Sequence, residues 1–191
     1  NIWCAKAKNI ATREILEHSK DTDFILYMDD DTYLNDINVI AKLVYTFEKN
    51  KDLGCLAPQI CYGNSVRSSI LDRGFEPPWE FSTYEGFEQL KKENMRSTEL
   101  FQDTFLVEAS CAMIPIKYLK KTDLFPEEYN YYHEETLLEN RIRLDQNKRV
   151  SVMKNSYVLH QRIGGGAITP FAMFYYFRNF GYFLEDIGVK E

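Results

Sequence analysis

The run Phe24-Ile25-Leu26-Tyr27-Met28 constrains this chain more than any other feature. It is apolar, of strand length and without alternation, which suits a strand covered on both faces, as in a parallel sheet. The run stops at Asp29-Asp30-Asp31. Ligands of open α/β sheets bind beyond the carboxyl ends of the strands, so these carboxylates fall where a site is expected. Three adjacent like charges repel unless water or a cation compensates them.

The surrounding pattern supplies helices and further strands. Ala5 to Ser19 reads as a helix, with Ala7, Ile10, Ala11 and Ile15 near one face and Leu16 widening it. A second helix runs from about Ile37 to Asn50, capped by Asn35 or Asp36, with Ile37, Ile40, Ala41, Val44 and Phe47 as its inner stripe. Leu53 to Tyr62 reads as a strand whose Pro58 marks an edge or a bulge. Strand, helix, strand is the α/β rhythm. The pattern weakens over 63–102, which reads as an insertion or mobile loop with a short helix near Tyr84 to Glu93.

Strand character resumes from Phe105 to Ile114, and Pro115 opens a short helical piece ending near Lys121. His133 to Gln146 is helical, with Leu137, Leu138, Arg141 and Leu144 at helical spacing and Asn147 suited to a left-handed C-cap. Val150 to Met153 and Tyr157 to His160 read as two short strands, and Gly164-Gly165-Gly166 then breaks the pattern. Thr169-Pro170 starts a last helix, 169–186, aromatic around nearly its whole circumference. Such a helix is expected to be buried against the domain, with a partner, a second copy or a membrane surface as the other way to cover it. Residues 1–191 therefore form one domain, and no repeat is present.

Composition removes several classes. Lys and Arg number 23 against 29 Asp and Glu, a net charge of -6 that argues against a nucleic-acid backbone binder. Four scattered cysteines without a CxxC pair make neither a disulfide framework nor a structural zinc site, and fit a reducing, cytoplasmic setting. No run is long and apolar enough to span a membrane, and the first residues lack the order of a signal peptide.

Three clusters carry chemistry. Asp29 and Asp31, two apart, are spaced to share a hard divalent ion that also holds phosphates; the alternative is an exposed acidic turn capping a helix. An aspartate-nucleophile phosphatase of the D-x-D-x-T kind would want Thr or Val where Tyr33 stands. Glu134 and Glu135 open a helix, where the dipole alone favours carboxylates, yet such a pair also suits a general base. His160 ends a strand-like run beside Arg162 and the glycines, as a ligand under a lid or as a hydrogen-bonded structural residue.

Taken in order, these pieces resemble family 2 glycosyltransferases. The matching residues are Asn1, Ala5, Ala7 and Asn9, the strand into DDD, EASCAMIP, the YHEE helix entry, Val158-Leu159-His160 and Arg178-Asn179 in an aromatic helix. The set is similar to the rhamnosyl- and galactofuranosyl-type transferases of bacterial surface polysaccharides. The resemblance implies a GT-A fold, a Rossmann-like mixed sheet flanked by helices, and inverting transfer from a nucleotide-diphosphate sugar, UDP- or dTDP-linked, to a glycan or lipid-linked acceptor. It puts Mn2+ or Mg2+ on Asp31 and His160, with Asp29 shared between metal and nucleotide. Nucleotide contacts then fall on Asn9, Asp29, Asp30 and Arg162, and the base on Glu135 beside Glu134. Leu137 stands where the family often has a further Asp. The family's layout also implies an N-terminal strand and nucleobase loop ahead of Asn1. A sugar-binding or scaffold domain of the same fold, and a nucleotidyltransferase, are the competing expectations.

Overall fold

The computed structural model describes residues 3–18, 23–34, 37–62, 65–66, 101–104, 106–160 and 169–188. Arg162, the glycines at 164–166, the helix expected near 84–93 and the caps Asn35 and Asp36 lie outside the described residues. The helices are α1 (Cys4–His18), α2 (Val39–Lys49), the short α3 (Ile116–Leu119), α4 (Glu134–Asp145) and α5 (Pro170–Asp186), with a 3-10 turn at Glu127–Tyr129. The strands are β1 (Phe24–Met28), β2 (Thr32–Tyr33), β3 (Leu53–Tyr62), β4 (Ser65–Val66), β5 (Phe101–Asp103), β6 (Cys111–Pro115) and β7 (Arg149–His160).

The strands form one mixed sheet in the order β1-β6-β3-β7-β2, with β4 on β3 and β5 on β7. β3 and β7 are parallel, whereas β6 lies antiparallel to both β1 and β3. The expected parallel setting of β1 is therefore corrected: its described partner is antiparallel, Phe24 opposite Pro115 through Met28 opposite Cys111. Burial on both faces explains the run all the same. Ile25 and Tyr27 join a core with Ala5, Leu138 and Ile142, while Phe24 and Leu26 pack on the opposite core of Val39, Leu43 and Phe47. β6 divides likewise, Ala112 and Ile114 to the first core, Cys111 and Met113 to the second.

Pro58 lies in a central strand and resolves as the bulge. The β3–β7 register shifts between Ala57 and Gln59, so residues 153–156 of β7 stand opposite Pro58, which has no N–H for a ladder. The two short strands expected over 150–160 are thus one strand with an irregular middle.

Apolar spacing misplaced three helical faces. α1 buries Ala5, Asn9 and Thr12 and leaves Ile10 49% exposed. Polar residues take the inner face because they are partnered: Thr12 shares a 2.8 Å hydrogen bond with the Tyr27 hydroxyl. α2 starts at Val39, so Ile37 stands outside it at 94% exposure and the buried stripe is Val39, Leu43, Thr46 and Phe47. In α4, Leu137, Leu138 and Ile142 are buried while Leu144 faces solvent. The left-handed Asn147, φ 49°, follows this helix as its sequence suggests.

The expected burial of the aromatic helix is also corrected. α5 buries only Asn179 and Phe183, and Phe174 and Phe177 are 59% and 63% exposed. Thr169 caps its start, accepting from the Ala172 N–H at 3.1 Å, with Pro170 in the first turn. Among the described residues no helix is long and apolar enough to cross a membrane.

Candidate functional site

β2 is only two residues long, yet it fixes the acidic turn. Thr32 pairs with His160 and Tyr33 with Leu159, bringing the end of β7 beside the end of β1. The turn is closed by the Thr32 N–H donating to the Asp29 carbonyl at 3.1 Å, and the Asp29 N–H donates to the Ser110 carbonyl at 3.1 Å. As a result His160 Nε2 lies 2.9 Å from Asp31 Oδ1 and 3.9 Å from Asp29 Oδ2.

One donor atom from each of Asp29, Asp31 and His160 lies within 4.8 Å of the others, and all three side chains are half-buried. Two carboxylates and an imidazole, partly shielded from water, make a donor set that can hold a divalent metal ion. The adjacent Asp30 is exposed. Glu14, Glu17 and His18 also converge, but all three are exposed on α1 and His18 pairs with Glu14 at 3.2 Å, the pattern of a solvated helix face.

The second group gathers where α1 meets the start of α4. Lys8 Nζ is 3.5 Å from Glu134 Oε1, with both side chains largely buried. Glu135 is pushed up to about 8, first by burial and then by the Glu134 carboxylate, with Lys8 opposing. Burial presses the Lys8 ammonium down, and the carboxylates of Glu135 and Glu134 more than reverse this, so its net shift is upward. One turn on, Glu139 is 1% exposed and its Oε2 accepts from the Val107 N–H at 2.8 Å. Burial raises its carboxyl well above the ordinary range against that bond. Since Val107 leads to Ser110, which holds the Asp29 amide, Glu139 ties the acidic helix to the segment flanking the aspartates.

Asn9 belongs to neither group. It is fully buried, its Nδ2 donating to the Phe125 carbonyl at 2.8 Å and to Glu127 Oε1 at 3.1 Å, and its Oδ1 accepting from the Phe125 N–H at 3.0 Å. An amide so committed has no donor left for the nucleotide contact expected of it. Lys8 and Glu139 escaped the sequence reading because a lone Lys or Glu in a helix is normally solvated. Their signal was position, Lys8 beside the buried Asn9 and Glu139 four residues after Glu135.

No protein-family model matches the chain, and no curated protein sequence matches it. Solved structures do. The chain is similar to GalNAc-T7, crystallised with UDP, GalNAc and Mn2+, at 14% identity and a TM-score of 0.64, covering 96% of this chain and 34% of that one. It is also similar to A197 from STIV, at 15% identity and a TM-score of 0.53, covering 82% of this chain and 66% of that one. The chain thus spans about a third of the GalNAc-T7 chain. At these identities the likeness establishes the fold, the GT-A fold of glycosyltransferases with a mixed sheet between helical layers.

Proposed function

We propose that this chain is the catalytic part of a metal-dependent, inverting glycosyltransferase acting on a nucleotide-diphosphate sugar, UDP- or dTDP-linked. The observation that carries this reading is the convergence of Asp29, Asp31 and His160 at the ends of β1 and β7, in a fold shared with a protein crystallised with UDP and Mn2+. Asp31 and His160, with Asp29, would hold Mn2+ or Mg2+; when bound, such an ion neutralises charge developing on departing phosphates. Asp29 and Asp30 lie beside that position for the nucleotide.

Glu135 is the proposed base. Its carboxylate takes the proton of an acceptor hydroxyl as that oxygen bonds the anomeric carbon and the nucleoside diphosphate leaves. The raised affinity of Glu135 for a proton, with Glu134 and Lys8 alongside, supports this role. The acceptor class is a glycan or lipid-linked saccharide, and family 2, with its bacterial surface-polysaccharide branch, is the lineage proposed.

Calorimetry of UDP and dTDP with and without Mn2+, followed by nucleoside diphosphate release from a panel of nucleotide sugars, tests the reading. Metal-dependent binding with turnover is expected. Binding without turnover assigns the chain to sugar recognition instead, and no binding removes the proposal.

A further inference from the structure

The residues that enter α4 are held in an improbable path. Asn130, Tyr132 and His133 all have positive φ, 61°, 70° and 65°, and none is glycine. Each such residue costs about 1 kcal/mol or more, so the surroundings must enforce the path. His133 is the N-cap of α4 without any side-chain capping bond, and the local support of the segment is backbone only, the Asn130 N–H donating to the Glu127 carbonyl at 3.3 Å and the Tyr131 N–H to the Tyr129 carbonyl at 2.7 Å.

Side-chain anchoring of this segment comes from α5. Asn179, fully buried, directs Nδ2 at three carbonyls of this segment, Tyr129 at 2.7 Å, Tyr131 at 2.6 Å and Tyr132 at 2.9 Å. Arg178 completes the clamp: its Nε and Nη2 donate to Asn179 Oδ1 at 2.9 and 2.7 Å, and Nη2 also reaches the carbonyls of Glu128 and Tyr129 at 2.9 and 3.0 Å. The guanidinium is braced on the Tyr175 and Tyr182 rings, 4.5 and 5.3 Å from their centroids. A buried amide in an otherwise aromatic helix is costly unless satisfied, and here every partner belongs to Arg178 or to the turn before Glu134.

We infer that Asn179, oriented by Arg178, is a positioning residue that fixes the turn presenting Glu134 and Glu135. The inference rests on the proposed role of Glu135 for its catalytic consequence, and on the hydrogen bonds alone for its structural one. Asn179→Asp keeps the shape but replaces the donor with an oxygen facing three carbonyls. Arg178→Met, which leaves Asn179 in place and removes only the guanidinium, serves if the first variant fails to fold.

Backbone hydrogen exchange of the intact chain is measured together with turnover and nucleoside diphosphate affinity. Exchange over 130–135 is expected to rise by about tenfold or more while β3 and β7 stay protected. The turnover number should fall about 10- to 100-fold, with Mn2+-nucleotide affinity nearly unchanged, as misplacement of a reacting group predicts. Unchanged exchange at 130–135, a rise shared by β3 and β7, or an unchanged turnover number in an active wild-type chain would each overturn the inference. If the wild-type chain itself binds and releases no nucleoside diphosphate, the proposed function fails separately, and the exchange profile alone decides whether Asn179 sets the turn.

Discussion

His160 Nε2 and Asp31 Oδ1 stand 2.9 Å apart although they come from opposite ends of the chain. Two residues of pairing, Thr32 with His160 and Tyr33 with Leu159, produce this meeting, so the short strand β2 is a device for building the cluster. An imidazole against a carboxylate is a modest ion pair or hydrogen bond by itself. Its value lies in bringing a nitrogen donor to two carboxylates, a combination that ordinary surface pairing does not need.

Asp31 follows from this directly. Replacing it with Ala removes one of two carboxylates from the proposed metal position while leaving both cores untouched, since the side chain lies beyond the end of β1. Calorimetry should show loss of Mn2+-dependent nucleoside diphosphate binding with a melting temperature close to that of the parent chain. Retained metal-dependent affinity would place the ion elsewhere.

His160 separates ligation from packing. His160→Ala is expected to weaken Mn2+ binding by about tenfold or more, the scale of losing one supporting group at a metal centre. Metal-free nucleotide binding should change little. A lowered melting temperature with an unaltered Mn2+ titration would make the histidine part of the β2–β7 junction only.

Much of this arrangement was legible in sequence, and the reasons differ by element. β1 and its aspartates were visible because a run buried on both faces has no polar break. The α1 face was misjudged because Asn9 and Thr12 are buried through partners far along the chain, Phe125 and Tyr27, which spacing cannot reveal. Asn179 was visible as a polar residue beside Arg178 in an aromatic helix, a pair that the family resemblance includes without giving it a task. What it holds, a backbone turn some fifty positions earlier, depends on tertiary placement.

At Gly54, β3 runs close against α4 and the segment before β7. A Cβ built there would collide with Ile142 Cγ2 of α4 and lie 2.6 Å from Lys148 Cβ. Both sit on backbone held by packing, so Gly54→Ala should destabilise by about 1–3 kcal/mol, the usual cost of overfilling a packed interior. Chemical denaturation measures it, and an unchanged midpoint would mean that α4 can shift away from β3 freely.

Glu135 joins stability to chemistry. Its carboxyl is raised in the folded chain to about 8, so the native state keeps a proton that the unfolded chain gives up above its ordinary value of 4.5. Native proton binding then exceeds unfolded binding through that window, and stability falls as pH rises across it, by at most about 1.4 kcal/mol per pH unit for one proton. Glu139, raised by burial as well, adds a slope of the same sign. Glu135→Gln should therefore flatten, without abolishing, the decline of melting temperature between pH 4.5 and 8. As a base the same carboxyl must be ionised, so transfer should climb with pH over the upper part of that window. The Gln variant should bind the nucleotide yet lose transfer about 100-fold or more. An undiminished pH slope in melting temperature would show that Glu135 is ionised in the folded chain. If Glu134→Gln instead gives the loss of transfer, the base is its neighbour, and Lys8, 3.5 Å from Glu134, is then the cation that tunes it.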